Sequence, residues 1–409
     1  MFAIKNHKIY IYYSLKSISA ALIPLIGATY IIYLQDKGYT LDKISFINIV
    51  FMLSIALTDL PTGVLADKYG RKISVVLSYL CWCISMYIYS LAYSFIILII
   101  AEIFAGLYIS LLSGSLEAWI VDELKSRGMD SKELSNVFGT SRTIVIISAL
   151  MGTMIGGFIP TLNIAYPFLL SSLLGFLGFI ISGLFLKEDN SSRIEDNKRY
   201  FDMFKETISL FKGNNALMFL TFGMTCAWMG DIVLDFLWQP LSRQFGASLS
   251  DIGNLFILKS IFVLPAPYLS SKLMKKRAIF KKYVFIFGIA LGMLMYFLFF
   301  IQKSQSYIFF IIIYLITMFS VEFRTPSYLV WRNELILNKL RASLISLQST
   351  LVYIGGAISW GIIGWLSKYY TEYDVKFFYG FLMYILALLL SIRSYYVHTK
   401  LKEQGELII

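Results

Sequence analysis

Seven ionisable side chains interrupt long apolar stretches of this 409-residue chain: Lys16, Glu102, Asp231, Asp235, Lys259, Glu322 and Arg324. In a membrane helix such a charge costs about 2.5–3.5 kcal/mol on insertion scales, and it marks a pathway or a pair. Asp231 and Asp235 lie four residues apart, so on a helix they share one face at about 6 Å. Two carboxylates that close, partly dry, favour holding a proton between them. A lone solvated carboxylate would stay ionised at neutral pH. The spacing therefore predicts a proton-coupling site on Asp231 and Asp235, with Glu102 and Glu322 as further candidates. A structural ion pair with Lys259 or Arg324 is the competing reading. Glu322 and Arg324 are two apart, so they face different neighbours.

Other chemistry finds little support. The two histidines, His7 and His398, sit near the chain ends, and no phosphate-binding loop is present, which argues against an enzyme or an ATP-driven pump. No cofactor is called for. Cys81 and Cys83 point about 200° apart on a helix, so with Cys226 they read as packing residues rather than metal ligands or a disulfide.

The elements that must position these groups follow from composition. The chain is 58% hydrophobic and 15% charged, against about 25% charged in soluble domains. Apolar runs long enough to cross a bilayer, roughly 20 residues, recur along almost its whole length. The pattern predicts an all-α membrane protein with twelve spans at 9–34, 44–66, 73–94, 95–121, 137–160, 166–186, 215–241, 249–271, 283–302, 307–331, 342–367 and 375–397. Lys5 and Lys8 precede a run that continues to Leu34 without a small-residue cleavage site, so it reads as the first span rather than a signal peptide. The polar segment 187–214, ending in the amphipathic stretch YFDMFKETISLFKG, separates an expected six-helix bundle at 1–186 from a second at 215–409. That stretch is expected to lie on the membrane surface or pack beneath the bundle.

A net charge of +11 would suggest nucleic acid for a soluble protein, but here it is better explained by orientation. With the N-terminus cytoplasmic, 26 of the 36 Lys and Arg fall on that side. Excess Lys and Arg mark the cytoplasmic face, which places both termini and the central linker inside. The expected location is a bacterial inner membrane, with lipids as surroundings and a monomer as the functional unit.

The sharpest local motif is DLPTGVLADKYGRK, Asp59 to Lys72. Gly63 and Gly70 permit close backbone approach or positive φ, and mixed charges crowd the turn between spans 2 and 3. This spacing resembles motif A of the major facilitator superfamily, with Lys68 where Arg is usual. The flanking Pro-Thr-Gly, SGSLEAWIVDELKSRG at the end of span 4 and WRNELILNKLRASLISLQS in the second half are similar to a subset of that superfamily rich in drug exporters. The resemblance implies two six-helix bundles and a charge network of Asp67, Arg71 and Asp122 that latches the cytoplasmic side, with Asp59, Gly63, Gly70 and Lys72 completing the motif. Span 5 carries GTMIGG, similar to motif C of drug–proton antiporters with Thr153 in place of Pro. Small residues at Gly152, Gly156 and Gly157 let helices approach. Where those antiporters carry Arg in motif B, this chain has Glu102, four residues before Gly106.

In that family spans 1, 4, 7 and 10 line the central cavity, and every acid named above sits on spans 4, 7 or 10. The resemblance thus implies cavity roles for Lys16, Glu102, Tyr108, Trp228, Trp238, Arg324 and Tyr328. The expected function is secondary active transport, with protons as coupling ion and a small molecule or peptide as substrate. Export of an amphipathic or cationic compound (a drug, an antibiotic or a microcin-like peptide) leads. A nutrient importer and a transport-incompetent sensor are the alternatives.

Overall fold

The computed structural model describes residues 2–91, 94–125, 131–187, 197–276, 280–302, 306–336, 341–370 and 373–403. The elements in chain order are α1 (Phe2–Gly27), α2 (Tyr30–Asp36), α3 (Leu41–Tyr69), α4 (Arg71–Leu91), α5 (Phe95–Leu112), α6 (Ser115–Lys125), α7 (Ser131–Phe158), a short 3-10 turn, α8 (Tyr166–Phe185), α9 (Asn197–Gly213) and α10 (Asn215–Gln244). They continue with α11 (Leu249–Phe262), α12 (Pro265–Lys276), α13 (Phe280–Gln302), α14 (Tyr307–Leu335), α15 (Arg341–Tyr369) and α16 (Tyr373–Glu403). Among the described residues twelve helical stretches are long and apolar enough to cross a membrane. Every regular element among the described residues is helical, as a bilayer requires when backbone groups must be satisfied internally. Leu57, Ile96, Leu162, Leu184 and Ile308 are each at least 68% exposed. Lipid tails, not water, are the medium that tolerates such a surface.

Three expected spans are broken rather than continuous. The first divides into α1 and α2 at Ala28–Thr29, both buried. The fourth divides into α5 and α6 at Ser113–Gly114, where Gly114 takes φ +71°, a conformation with little penalty only for glycine. The eighth divides into α11 and α12 immediately before Pro265. A proline lacks the N–H that would continue the preceding helix, yet suits the first position of a new one.

The chain forms two compact units. Unit 1 comprises 1–39, 50–195 and 247–257; unit 2 comprises 40–49, 196–246 and 258–409. In unit 1, α1 packs on α7 and α8, and α4 on α5 and α8. In unit 2, α10 packs on α16 and α15, and α13 on α14 and α16. The amphipathic α9 lies against α15 and α10, burying Thr207 and Phe211.

Candidate functional site

The best-built polar cluster lies in unit 2. Arg324 of α14 is fully buried, and Asp231 of α10 is 2% exposed. The Arg324 Nη2 donates to Asp231 Oδ2 as an ion pair, and the Tyr384 hydroxyl of α16 donates to Asp231 Oδ1. Arg324 Nη1 donates to the Tyr384 hydroxyl oxygen at 3.0 Å, closing the triangle. Glycines make room for it. A Cβ on Gly288 would sit 2.7 Å from the Arg324 Cβ, and one on Gly230 2.7 Å from the Tyr384 ring; Gly292 faces the same ring as closely. Tyr296 stacks obliquely on Tyr384 at 5.2 Å and donates to the Gly230 carbonyl at 2.6 Å. Three helices thus converge on one neutralised charge pair.

Asp231 and Asp235 do not share an environment. Asp231 is engaged by Arg324, one of the two partners the sequence offered, whereas Asp235 one turn on is exposed. Lys259 of α11 lies within electrostatic reach of both Asp235 and Glu322. Glu322 is exposed while Arg324 is buried, so the two do face apart.

In unit 1 the buried acid is Glu102 of α5, 5% exposed. Its Oε1 accepts the Tyr30 hydroxyl of α2 at 3.0 Å and the Tyr89 hydroxyl of α4. Tyr33 donates to the Tyr89 carbonyl at 2.6 Å. One turn below Glu102, a Cβ on Gly106 would meet the Ser54 side chain at 2.6 Å, so this glycine lets α5 close on α3.

The short α6 is held by three ion pairs: Lys8–Glu123, Lys16–Glu117 and Arg71–Asp122. Lys16, expected to face substrate, is thus paired to Glu117. Arg71 and Asp122 form an ion pair at a partly exposed position; the side chain of Asp67 lies outside the described residues. Gly70 has φ +107° between α3 and α4. Gly63 is helical with open space where a Cβ would stand, so it serves neither positive φ nor close approach. Asp59, near the same end of α3, and Lys72, at the start of α4, are half-buried.

The small residues of α7 contact neighbouring backbones. A Cβ on Gly152 would lie 2.8 Å from the Ala21 carbonyl oxygen, Gly156 abuts Leu25 more closely still, and Gly157 would place a Cβ 3.0 Å from the Gly253 carbonyl oxygen. Among the aromatic candidates, Tyr108 is buried, bonded to Ser19 at 2.9 Å and packed on Trp82. Trp238 is buried and stacked on Tyr314, and Tyr328 is buried beside Phe285. Trp228 is half-buried, edge-on to Tyr353.

The sequence reading missed Tyr384, Tyr30, Tyr89 and Glu117. Tyr384 is one of 28 tyrosines, and it meets Asp231 across 153 residues of chain, so no local spacing marks it. Glu117 did carry a signal, since SLEAWIVDE places three acids on one short helix.

The sequence profile described as Major Facilitator Superfamily matches residues 12–360 and, in a second match, 220–406. The chain belongs to this superfamily. It is 28% identical over 275 residues to the uncharacterized MFS-type transporter YxaM of Bacillus subtilis, covering 65% of this chain and 66% of that protein. It is 24% identical over 161 residues to the quinolone resistance protein NorA of Staphylococcus aureus, covering 39% and 40%. The chain thus spans just under two thirds of the first relative's length and two fifths of the second's. Similar solved structures include the nucleoside transporter NupG (TM-score 0.74, 13% identity, covering 95% of this chain and 99% of that one) and a D-xylose-proton symporter (0.73, 13%, 94% and 96%). At such identities these establish the fold alone.

Proposed function

We propose that this protein is a secondary transporter that exports an amphipathic or cationic compound in exchange for protons, by alternating access. The observation that carries the reading is the placement of acids within the spans. Asp235 stands open one turn from an Asp231 already neutralised by Arg324, with Lys259 between it and Glu322 in electrostatic terms. In this reading Asp235 takes up and releases the coupling proton, and Glu322 is its alternate. The Asp231–Arg324–Tyr384 triangle fixes α10 against α14 and α16 while that happens. Both termini are cytoplasmic, and each entering proton gains about 2.3 kcal/mol per 100 mV of membrane potential. Asp67, Arg71 and Asp122 serve as the latch that closes the cytoplasmic side, a bistable contact of the kind alternating access needs. Similarity to NorA over part of the chain, the Pro-Thr-Gly motif and the GTMIGG segment support export over import.

The test uses inside-out vesicles and a panel of lipophilic cations. Asp235→Asn should abolish accumulation driven by a pH gradient yet permit counterflow down a substrate gradient. Full pH-driven accumulation by this variant refutes the proton assignment, and suspicion then passes to Glu322. Growth protection across a compound panel, in a host lacking its own efflux pumps, tests the direction independently.

A further inference from the structure

Between Lys376 and His398, α16 carries a single charged side chain, Arg393, and it is exposed. Among the described residues no carboxylate pairs with it; what it meets is two aromatic rings. Its guanidinium carbon lies 6.0 Å from the ring centroid of Phe219 on α10 and 6.0 Å from that of Tyr396, one turn further along α16. A guanidinium held against aromatic rings keeps its N–H edge available, and that edge matches two oxygens of a phosphate.

The depth of this arginine is fixed by its neighbour. The Ser394 hydroxyl donates to the Ala216 carbonyl at 2.7 Å, which sets Arg393 level with the first turn of α10, directly after the amphipathic α9. Phe211 of α9 meets Phe222 of α10 edge-on at 6.5 Å. At this end of the spans the apolar core gives way to lipid head groups.

Toward the bilayer centre the same surface continues without charge. Leu389 and Leu386 precede Arg393 at helical spacing, hence on its face, and both are exposed. Helix α10 brings no charged side chain before Asp231, and Phe222, also exposed, follows Phe219 by one turn. A Cβ on Gly223 would lie 2.8 Å from the Ser391 Oγ, so α10 and α16 run in contact through this depth. The seam between them is apolar along its length and cationic at one end, the complement of a lipid with an anionic head.

We propose that Arg393, with Phe219 and Tyr396, forms a binding site for one anionic phospholipid. The phosphate takes the guanidinium edge, and the acyl chains lie along the α10–α16 seam. A choline head group fits less well, because its own cation offsets the phosphate charge. On the orientation proposed above the site lies in the cytoplasmic leaflet, and it does not depend on what the protein transports.

The experiment uses the full chain, purified in neutral detergent, and native mass spectrometry with phosphatidylglycerol or phosphatidylcholine of identical acyl chains. The parent should retain one phosphatidylglycerol about fivefold more tightly than phosphatidylcholine, the order of effect of one basic residue at a membrane surface. R393Q should lose that preference. R341Q, which removes another exposed arginine at the start of α15, should keep it. F219L and Y396L leave the charge but remove a ring, and each should weaken phosphatidylglycerol binding about twofold or more. Glycerophosphoglycerol, the head group without chains, should not displace the lipid. The proposal is overturned if the parent does not distinguish the two lipids, if R393Q keeps the parent's preference, or if R341Q lowers it as far as R393Q does. Displacement by the soluble head group at the lipid's own concentration overturns it too, since the seam then plays no part. A dimer that R393Q disperses assigns this face to a second copy of the chain and likewise overturns it. Should R393Q fail to fold, unchanged phosphatidylglycerol affinity in both F219L and Y396L decides against the site.

Discussion

Replacing Asp231 with Asn should strip the counter-charge from an arginine that has no exposed surface. Removing one member of a buried ion pair costs about 3–5 kcal/mol, because the survivor is left uncompensated. Arg324→Met should cost a similar amount, leaving Asp231 with only the Tyr384 hydroxyl. The double variant removes both charges, and neutral replacements of a buried pair are often tolerated. It should therefore recover most of the loss, giving a coupling energy of at least about 2 kcal/mol in a double-mutant cycle. At about 1.4 kcal/mol per factor of ten, each single variant shifts the folding equilibrium by roughly a hundredfold or more. Reversible unfolding of the purified protein in mixed detergent, titrated with a denaturing surfactant, reads this directly. If the two single losses simply add in the double variant, the triangle is not the interdependent unit its geometry indicates.

Gly156→Ala should separate α7 from α1, since the added carbon meets the Leu25 backbone; a loss of about 1–3 kcal/mol is expected in the same titration, whereas Gly63→Ala, with open space around it, should leave stability unchanged or raised. Arg71→Ala should cost at most about 1 kcal/mol of stability, as exposed ion pairs do, yet slow transport in vesicles at equal expression; unchanged transport removes the latch role. In a cysteine-free background, Asn163→Cys should react with an impermeant thiol reagent on intact cells and Gly213→Cys should not. Labelling of the latter reverses the proposed orientation.

Much of the architecture was legible in the linear order of residues. Twelve apolar runs, each long enough to span a bilayer, admit only helices, because the backbone of each must satisfy itself where water is absent. Gly70 marks the turn between α3 and α4 by its own covalent geometry, whereas the breaks at 28–29, 113–114 and 263–264 fall inside runs that read as continuous spans. What the order of residues could not convey is which polar side chain finds which. Helical spacing put Asp231 and Asp235 on one face, but it could not show that α14 would bring Arg324 to the first and leave the second open. Nor could it show that Lys16 would be taken by Glu117, or that Tyr30 and Tyr89 would converge on Glu102 from two other helices. Those pairings depend on how closely the helices approach, which Gly106, Gly230, Gly288 and Gly292 set by having no side chain to keep their neighbours apart. Local periodicity records the face a residue occupies; only the packed helices decide what that face meets.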